Sequence, residues 1–525
     1  MKRTILMASA VALLAGCGKT AEAPKPVAPL TSGIDGSYID AAVRPQDDLY
    51  RHLSGKWLDS FEIPADKARF GSFTKLSDDA EANLKAIIEA ASAAKDTKAG
   101  SEAQQIGDLF KSYMDEAKVE AAGLKALDSA LTNIAAMTAK KEVPAAMATF
   151  AMLGVGSPFV PFVHQDNKDS TKYIIDVYQY GLGLPDRDYY LKDTEKYVQT
   201  RAQYQAHIEK MLTLAGDKDA AAKAKAIFGF ETDLAKIQWD KVENRDPVKT
   251  YNKFELAKLP ELAPGFDFTA WLTAGGMAGK LDYLIVSQPS YVTGVAKLLE
   301  SAPLDTWKAY FQWRVIAEFA PYLPKAFVDE NFAFYGTALR GIPENRPRWK
   351  RGVELVEGSI GEALGKLYVE KYFPPENKAR MESLVKNLLA AYKSSIDTLP
   401  WMSEATRKEA QTKLAKFSPK IGYPVRWKDY SKLVIAPDDL VGNVARARAL
   451  SYQMELDKLG KPIDREEWGM TPQTVNAYYN PEKNEIVFPA AILQPPFFNA
   501  AADDAANYGG IQGAHRGPRR PVRGL

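Results

Sequence analysis

The sequence is poor in cysteine and histidine, residues that often cross-link a fold or bind a metal. A single cysteine, Cys17, stands among 525 residues, so no intramolecular disulfide can form and a disulfide-stabilised scaffold is excluded. No two of the four histidines are spaced to bind one metal ion from a single helical turn; they are His52, His164, His207 and His515. A metal site that uses two histidines would therefore need segments that are distant in sequence.

A basic excess is also absent from the body of the chain. The whole sequence has 68 Lys and Arg against 66 Asp and Glu, a formal charge of +2. Two of the basic residues are Lys2 and Arg3, and four arginines without any acidic residue lie in residues 512–525. Without these six, 62 basic residues face 66 acidic ones, and no aromatic residue lies among the terminal arginines. We therefore expect no nucleic-acid partner.

The first 17 residues have the features of an export signal. Lys2 and Arg3 precede an apolar stretch, residues 5–14, that is too short for a permanent membrane span. The sequence Leu-Ala-Gly-Cys that ends at Cys17 resembles a bacterial lipobox, in which the cysteine is acylated and becomes the mature N-terminus. The alternative is a buried hydrophobic helix with a chance cysteine. We expect residues 18–37, rich in Ala and Pro, to tether a periplasmic body to a membrane of the cell envelope.

Helical periodicity dominates the rest of the chain, and its length favours two lobes over a single core. One apolar stripe runs from Leu84 to Ala91 after candidate caps at Ser77 and Asp78, and a second occupies residues 384–399; both are expected to face a core. Further helices are predicted at 103–117, 196–214, 220–241, 304–320 and 406–416. Strand signals are few, the clearest being a hairpin of residues 474–479 and 485–488 around a turn at 480–484.

Several longer blocks resemble neprilysin-like zinc metallopeptidases, the family that includes endothelin-converting enzyme and bacterial oligopeptidase O. They occur in family order and cover about residues 37–511. The blocks are YRHLSGKWL at 50–58, IP at 63–64, RFGSF at 69–73, GLGLPDRDYY at 181–190, RD at 245–246, YN at 251–252, RWKR at 348–351, KIGYP at 420–424, VNAYY at 475–479 and IVFPAAILQPPFF at 486–498.

This resemblance implies a mainly α-helical fold with two helical lobes around a cavity that admits peptides. A small β-hairpin or sheet would belong to an incomplete thermolysin-like catalytic lobe, formed by residues 38–75 and 346–511, and residues 76–345 would form the covering lobe. The family activity is zinc-dependent hydrolysis of oligopeptides, which makes oligopeptides the expected partners and zinc the family cofactor.

The resemblance also implies a set of substrate-binding residues. Asn476 and Ala477 match the strand edge that binds an extended peptide, and Arg69 matches the arginine that pairs with the carboxylate at the end of the substrate. Three apolar residues, Phe73, Ile492 and Phe497, match the pocket beside the cleaved bond. Each also has a structural interpretation: an arginine is usually a surface ion-pair partner, and the apolar residues could simply be core. The carboxylates of Asp78, Asp79, Glu466 and Glu467 are interpreted as solvated faces or helix caps rather than catalytic pairs.

The resemblance ends after the block YGGI at residues 508–511. The family continues with H-E-x-x-H, whose histidines bind zinc and whose glutamate deprotonates the bound water, and a later glutamate completes the site. This sequence instead has an Arg-, Gly- and Pro-rich tail at residues 512–525 and contains no H-E-x-x-H. The Gly and Pro that follow His515 oppose a helix there, so we do not interpret His515 as a ligand.

Two explanations remain for this change of sequence. A frameshift near codon 511 would give such a tail, and the alternative is a noncatalytic peptide-binding lipoprotein. The downstream DNA distinguishes them. An H-E-x-x-H segment in another reading frame would favour the frameshift, and unrelated DNA would favour the peptide-binding lipoprotein. For the chain as given we expect no catalytic residues, no metal ligands, no bound cofactor and no peptidase activity. We also expect exposed apolar surface at the hairpin and at Phe497-Phe498, which the zinc-bearing helices would otherwise cover.

Overall fold

The computed structural model describes residues 30–95 and 97–515, the last four of them by their backbone only. Cys17, the predicted signal peptide, most of the predicted tether and the Arg-rich residues 516–525 lie outside the described residues, and the predictions about them stay predictions. In the part of the chain that is described, no helix is both long and apolar enough to cross a membrane.

The described residues are mainly helical, as the resemblance predicted. The first ten α-helices are α1 Leu49–Ser60, α2 Ser72–Ala93, α3 Glu102–Met114, α4 Glu116–Ala122, α5 Asp128–Ala136, α6 Val143–Met152, α7 Asp188–Leu191, α8 Glu195–Leu214, α9 Ala220–Ile237 and α10 Leu259–Leu262. The others are α11 Phe268–Ala274, α12 Pro289–Ser301, α13 Leu304–Phe319, α14 Lys325–Phe332, α15 Arg348–Tyr372, α16 Pro375–Thr398, α17 Glu404–Ala415, α18 Leu440–Leu456 and α19 Asp504–His515. All five further helices predicted from periodicity are therefore confirmed.

Two small sheets interrupt the helices. Their strands are β1 Phe159–Gln165, β2 Tyr173–Gln179, β3 Lys253–Glu255, β4 Tyr283–Val286, β5 Ser418–Gly422, β6 Tyr478–Asn480 and β7 Glu485–Pro489. The first sheet has the order β1-β2-β4-β3, with β2 and β4 parallel and the other pairs antiparallel. The second has the order β5-β7-β6, with β5 parallel and β6 antiparallel to β7.

No pattern in the sequence predicted the first sheet. In β2, the consecutive residues Ile174 and Ile175 are 3% and 0% exposed, so both faces of the strand are covered. A strand that is buried on both faces loses the alternation of apolar and polar residues by which strands are recognised.

The two apolar stripes have different outcomes. Leu84, Ile87 and Ile88 of α2 are buried as predicted, but α2 begins at Ser72, so Ser77 and Asp78 are not caps. In α16, Leu384 is 5% exposed whereas Tyr392 is 62% exposed. The second prediction is thus wrong for the distal half of the stripe. This end of α16 packs against α17, which contributes no buried residue.

Helices from both predicted lobes pack against one another. α2, α3 and α15 contact each other, and α18 packs against α3, α6 and α15. Asn443 of α18 donates a hydrogen bond to the Ser112 hydroxyl of α3 over 3.2 Å. The buried side chains form one cluster that extends from α2 to α19, so the second sheet rests on a continuous helical body.

Candidate peptide-binding site

The second sheet ends in a strand whose outer edge has no partner strand among the described residues. β6 pairs only with β7, through Tyr478 opposite Val487 and Asn480 opposite Glu485. Its middle residue, Tyr479, is 39% exposed. Such an edge presents backbone donors and acceptors that an extended peptide can pair with.

The predicted strand is shorter than expected, because residues 474–477 are not part of β6. The backbone N–H of Asn476 donates to the Thr474 carbonyl over 3.0 Å, and the N–H of Ala477 donates to the Asn476 side-chain oxygen over 2.8 Å. Asparagine side chains commonly compete in this way with ladder hydrogen bonds. Asn476 is exposed and Ala477 is half-buried, just before the free edge begins.

The three predicted pocket residues belong to one region of the fold. The rings of Phe73 and Phe497 lie 4.5 Å apart between centroids, and α2 packs against the single 3-10 turn Ala490–Ile492 that follows β7. Ile492 is 0% and Phe497 7% exposed, whereas Phe73 is half-buried. Phe73 is therefore the member of this group with the most surface to offer a ligand.

The expected exposure is wrong for Phe497-Phe498 and for the β7 half of the hairpin, whereas Tyr479 of β6 is exposed. Val487, Phe488, Phe497 and Phe498 are all buried. α19 covers the segment so closely that a Cβ on Gly510 would lie 2.5 Å from the Phe497 carbonyl oxygen. The sequence could not show this contact, because it depends on how the chain returns after residue 498.

Arg69 lies on the surface in the connection between α1 and α2. Within residues 30–95 and 97–515, its guanidinium takes part in no hydrogen bond or ion pair. The alternative interpretation, an arginine held in a surface ion pair, thus finds no partner in the described part of the chain.

A buried network of charges, which was not predicted from the sequence, supports the second sheet. Lys420 of β5 and Glu485 of β7 form an ion pair of 2.8 Å, with 8% and 2% of their side chains exposed. Lys458 pairs with Glu467, and Lys483 lies 3.7 Å from the same carboxylate.

The environment shifts the pKa values of two lysines in this network. Burial lowers the pKa of Lys483, because the charged amine loses hydration, and Lys420 and Lys458 act in the same direction. Burial also opposes the charge of Lys458, but Glu455 and Glu467 outweigh it and raise its pKa. The interpretation of Glu467 as a solvated face is therefore wrong, since only 20% of its side chain is exposed. The sequence feature that could have revealed this network is Lys420, a lysine in the middle of the strand β5.

The described residues do not fit the zinc ion that the resemblance implies. Among them, no group of three or more His, Cys, Asp or Glu side chains is placed to hold a metal. Three histidines have other partners. His52 Nδ1 lies 2.7 Å from the Val43 carbonyl oxygen. His164 Nε2 lies 3.4 Å from Asp176 Oδ2, and His207 Nδ1 lies 2.9 Å from Glu330 Oε1. α19, which contains the YGGI block, continues to His515, contrary to the expectation that Gly and Pro would oppose a helix there.

Comparisons with known proteins agree with the block resemblance. Two models of peptidase family M13 match the chain, over residues 45–424 and 476–516. Mouse endothelin-converting enzyme 1 is 31% identical, over 97% of this chain and 69% of that protein. The structure is similar to that of the Mycobacterium tuberculosis zinc metalloprotease Zmp1 in complex with an inhibitor, with a TM-score of 0.88, 48% identity and coverage of 92% of this chain and 73% of that one. The structure is also similar to that of PepO from Lactobacillus rhamnosis, with a TM-score of 0.79, 26% identity and coverage of 89% of this chain and 74% of that one.

These matches extend over both sheets and most of the helical body. The larger family match contains α1 to α17 and β1 to β5, and the smaller one contains β6, β7 and α19. The chain therefore belongs to peptidase family M13, the neprilysin- and endothelin-converting-enzyme-like family of zinc-dependent peptidases.

Proposed function

We propose that this chain binds extended oligopeptides along the outer edge of β6 and, in the form of its printed sequence, does not hydrolyse them. The observation that carries the proposal is the outer edge of Tyr478–Asn480, which has no partner strand within the described residues and begins two residues after the exposed Asn476. Backbone hydrogen bonds along such an edge supply affinity that depends little on peptide sequence.

Two further residues support peptide binding by this chain. Phe73 offers half-buried aromatic surface beside Phe497, where an apolar peptide side chain would lose contact with water. Arg69 provides an exposed guanidinium that is suited to a terminal carboxylate. The proposed roles of Asn476, Ala477, Phe73, Ile492 and Phe497 are those of the family residues that they match.

We propose the absence of hydrolysis because of the residues that the sequence offers to bind a metal. A catalytic zinc site needs three protein ligands and a base for the bound water, and the sequence contains no H-E-x-x-H to supply two of the ligands and the base. Zinc-dependent hydrolysis of oligopeptides, the activity of the family, is the alternative function and is favoured by family membership.

Binding can be tested with a fluorescein-labelled hexapeptide that has Phe at its centre and a free carboxyl terminus. We expect saturable binding, measured by fluorescence anisotropy, that EDTA does not change. A matched peptide with N-methyl groups on alternate backbone nitrogens cannot form the ladder, and it should bind about tenfold more weakly. Equal affinity for the two peptides would reject the edge as the binding site.

The same purified protein tests the absence of hydrolysis. We expect substoichiometric zinc by mass spectrometry of the metal content and no cleavage of the hexapeptide by chromatography. One tightly bound zinc ion together with EDTA-sensitive cleavage would establish the alternative function.

We also propose that the body is anchored to a membrane of the cell envelope through a lipid on Cys17. The proposal depends on the sequence of residues 1–17 alone, with a basic start, a short apolar stretch and a lipobox-like end.

A further inference from the structure

Hydrogen bonds hold residues 462–469, here named the bridging segment, to the second sheet and its hairpin turn. Lys420 Nζ of β5 donates to the Glu467 carbonyl over 3.0 Å, and Lys483 Nζ donates to the Asp464 carbonyl over 3.0 Å. Another bond reaches β6 itself: the N–H of Gly469 donates to the Tyr478 hydroxyl over 2.7 Å. Tyr478 is the first residue of the free edge.

The other side of the bridging segment contacts the first sheet. The N–H of Asp464 donates to the hydroxyl of Tyr173 over 2.9 Å, and that hydroxyl donates to Glu467 over 3.4 Å. Next to Tyr173, Lys172 forms a backbone bridge with Pro462. The bridging segment thus connects β2 of the first sheet with the start of β6 in the second.

The chemistry of the contact suits the two roles of the Tyr173 hydroxyl. Burial raises the pKa of Tyr173, so the hydroxyl keeps its proton and can donate to one partner while it accepts from the other. Glu467, which accepts this bond, also pairs with Lys458. Tyr173 and its partners Asp464 and Glu467 are not among the residues proposed to touch a peptide.

We propose that Tyr173 is a positioning residue for the peptide-binding edge, acting through the bridging segment on Tyr478. The hydroxyl fixes Asp464 and Glu467, and the segment they belong to holds the Tyr478 side chain through Gly469. A residue of the first sheet therefore determines how well ordered the edge of the second sheet is. This inference depends on the proposed function, because the edge matters only if a peptide binds there.

The test compares Tyr173→Phe with Tyr452→Phe in the purified full chain. The first variant removes the hydroxyl and keeps the ring. The second removes a hydroxyl that donates over 2.9 Å to the Gly275 carbonyl, a contact between other elements, and so controls for the loss of one tyrosine hydrogen bond. Hydrogen–deuterium exchange is measured for residues 462–469 and 474–480, together with the affinity for the fluorescein-labelled hexapeptide.

In Tyr173→Phe we expect about fivefold faster exchange in both segments and about fivefold weaker peptide binding, as for the loss of a partly buried hydrogen bond. Tyr452→Phe should change neither. Glu467→Gln is a second variant, which keeps the shape of the side chain but removes its charge, and it should also speed exchange in both segments.

Unchanged exchange at 474–480 in Tyr173→Phe would overturn the inference. So would a general loss of thermal stability with equal exchange increases throughout the chain, since that is what a purely structural tyrosine would show. If the unaltered protein binds no peptide, the proposed function fails, and the exchange at 474–480 still decides whether Tyr173 positions the edge.

Discussion

Lys420 Nζ lies 2.8 Å from Glu485 Oε2 across the pair β5–β7, and both side chains are buried. Removing one partner of a buried pair leaves an uncompensated charge in a poorly hydrated place. We expect Glu485→Ala to lower the free energy of unfolding by about 3 kcal/mol, measured by urea denaturation.

An exposed ion pair provides the control for this prediction. Lys75 and Asp79 of α2 lie 2.6 Å apart, with 66% and 52% of their side chains exposed. Asp79→Ala should change the free energy of unfolding by less than about 0.5 kcal/mol. Equal effects of the two substitutions would contradict the view that burial makes the Lys420–Glu485 pair critical.

Glu357 of α15 is expected to make stability depend on pH. Burial, together with the neighbouring carboxylates of Glu354 and Glu81, raises its pKa from 4.5 to about 7, although Arg346 opposes the shift. Between these two values the folded protein retains a proton that the unfolded chain has lost. The free energy of unfolding should therefore fall, by about 2 kcal/mol, as the pH rises from 4.5 to 7.

The measurement is a series of urea denaturations across that pH range. Glu357→Gln should flatten the pH dependence, because the variant has no proton to lose at this position. Glu354→Gln tests the repulsion: it should lower the pKa of Glu357 and shift the fall in stability to lower pH. A pH profile of Glu357→Gln that matches the unaltered protein would show that Glu357 is not the group responsible.

Arg69→Ala should weaken binding of the labelled hexapeptide by about tenfold when its carboxyl terminus is free, as for the loss of a charge-assisted hydrogen bond. The amidated peptide has no carboxylate and should bind both proteins equally. Arg69→Lys should recover part of the affinity, since the charge is restored without the planar fork. Equal losses of affinity for the free and amidated peptides would show that Arg69 is an ordinary surface residue.

Cys17→Ala should release the protein from membranes into the soluble periplasmic fraction. The expected anchor is the acyl chain on the cysteine, and the polar tether alone cannot insert. Immunoblots of separated membrane and soluble fractions give the result. Unchanged association with membranes would mean that another feature anchors the protein.

The sequence alone predicted the helical class, the order of the family blocks and several helices close to their observed limits. Leu84, Ile87 and Ile88 were recognised because the helical period places them on one face, a property of neighbouring residues. The strand β7 was predicted for the same kind of reason, as a short apolar run next to a turn. In the site, the blocks identified Phe73 and Phe497, which the structure brings together.

The tertiary structure alone determined which of these apolar patterns are buried and which residues contact one another. The stripe of α16 is regular, yet Tyr392 is 62% exposed, because α17, which packs against that end of the helix, contributes no buried residue. Glu467 resembles any surface acid in the sequence, and it becomes half-buried only where Lys458 meets it. Tyr173 and Asp464 come together although they are 291 positions apart in the sequence. Periodicity reports which face of an element is apolar, whereas burial and hydrogen bonding depend on distant segments that no local pattern specifies.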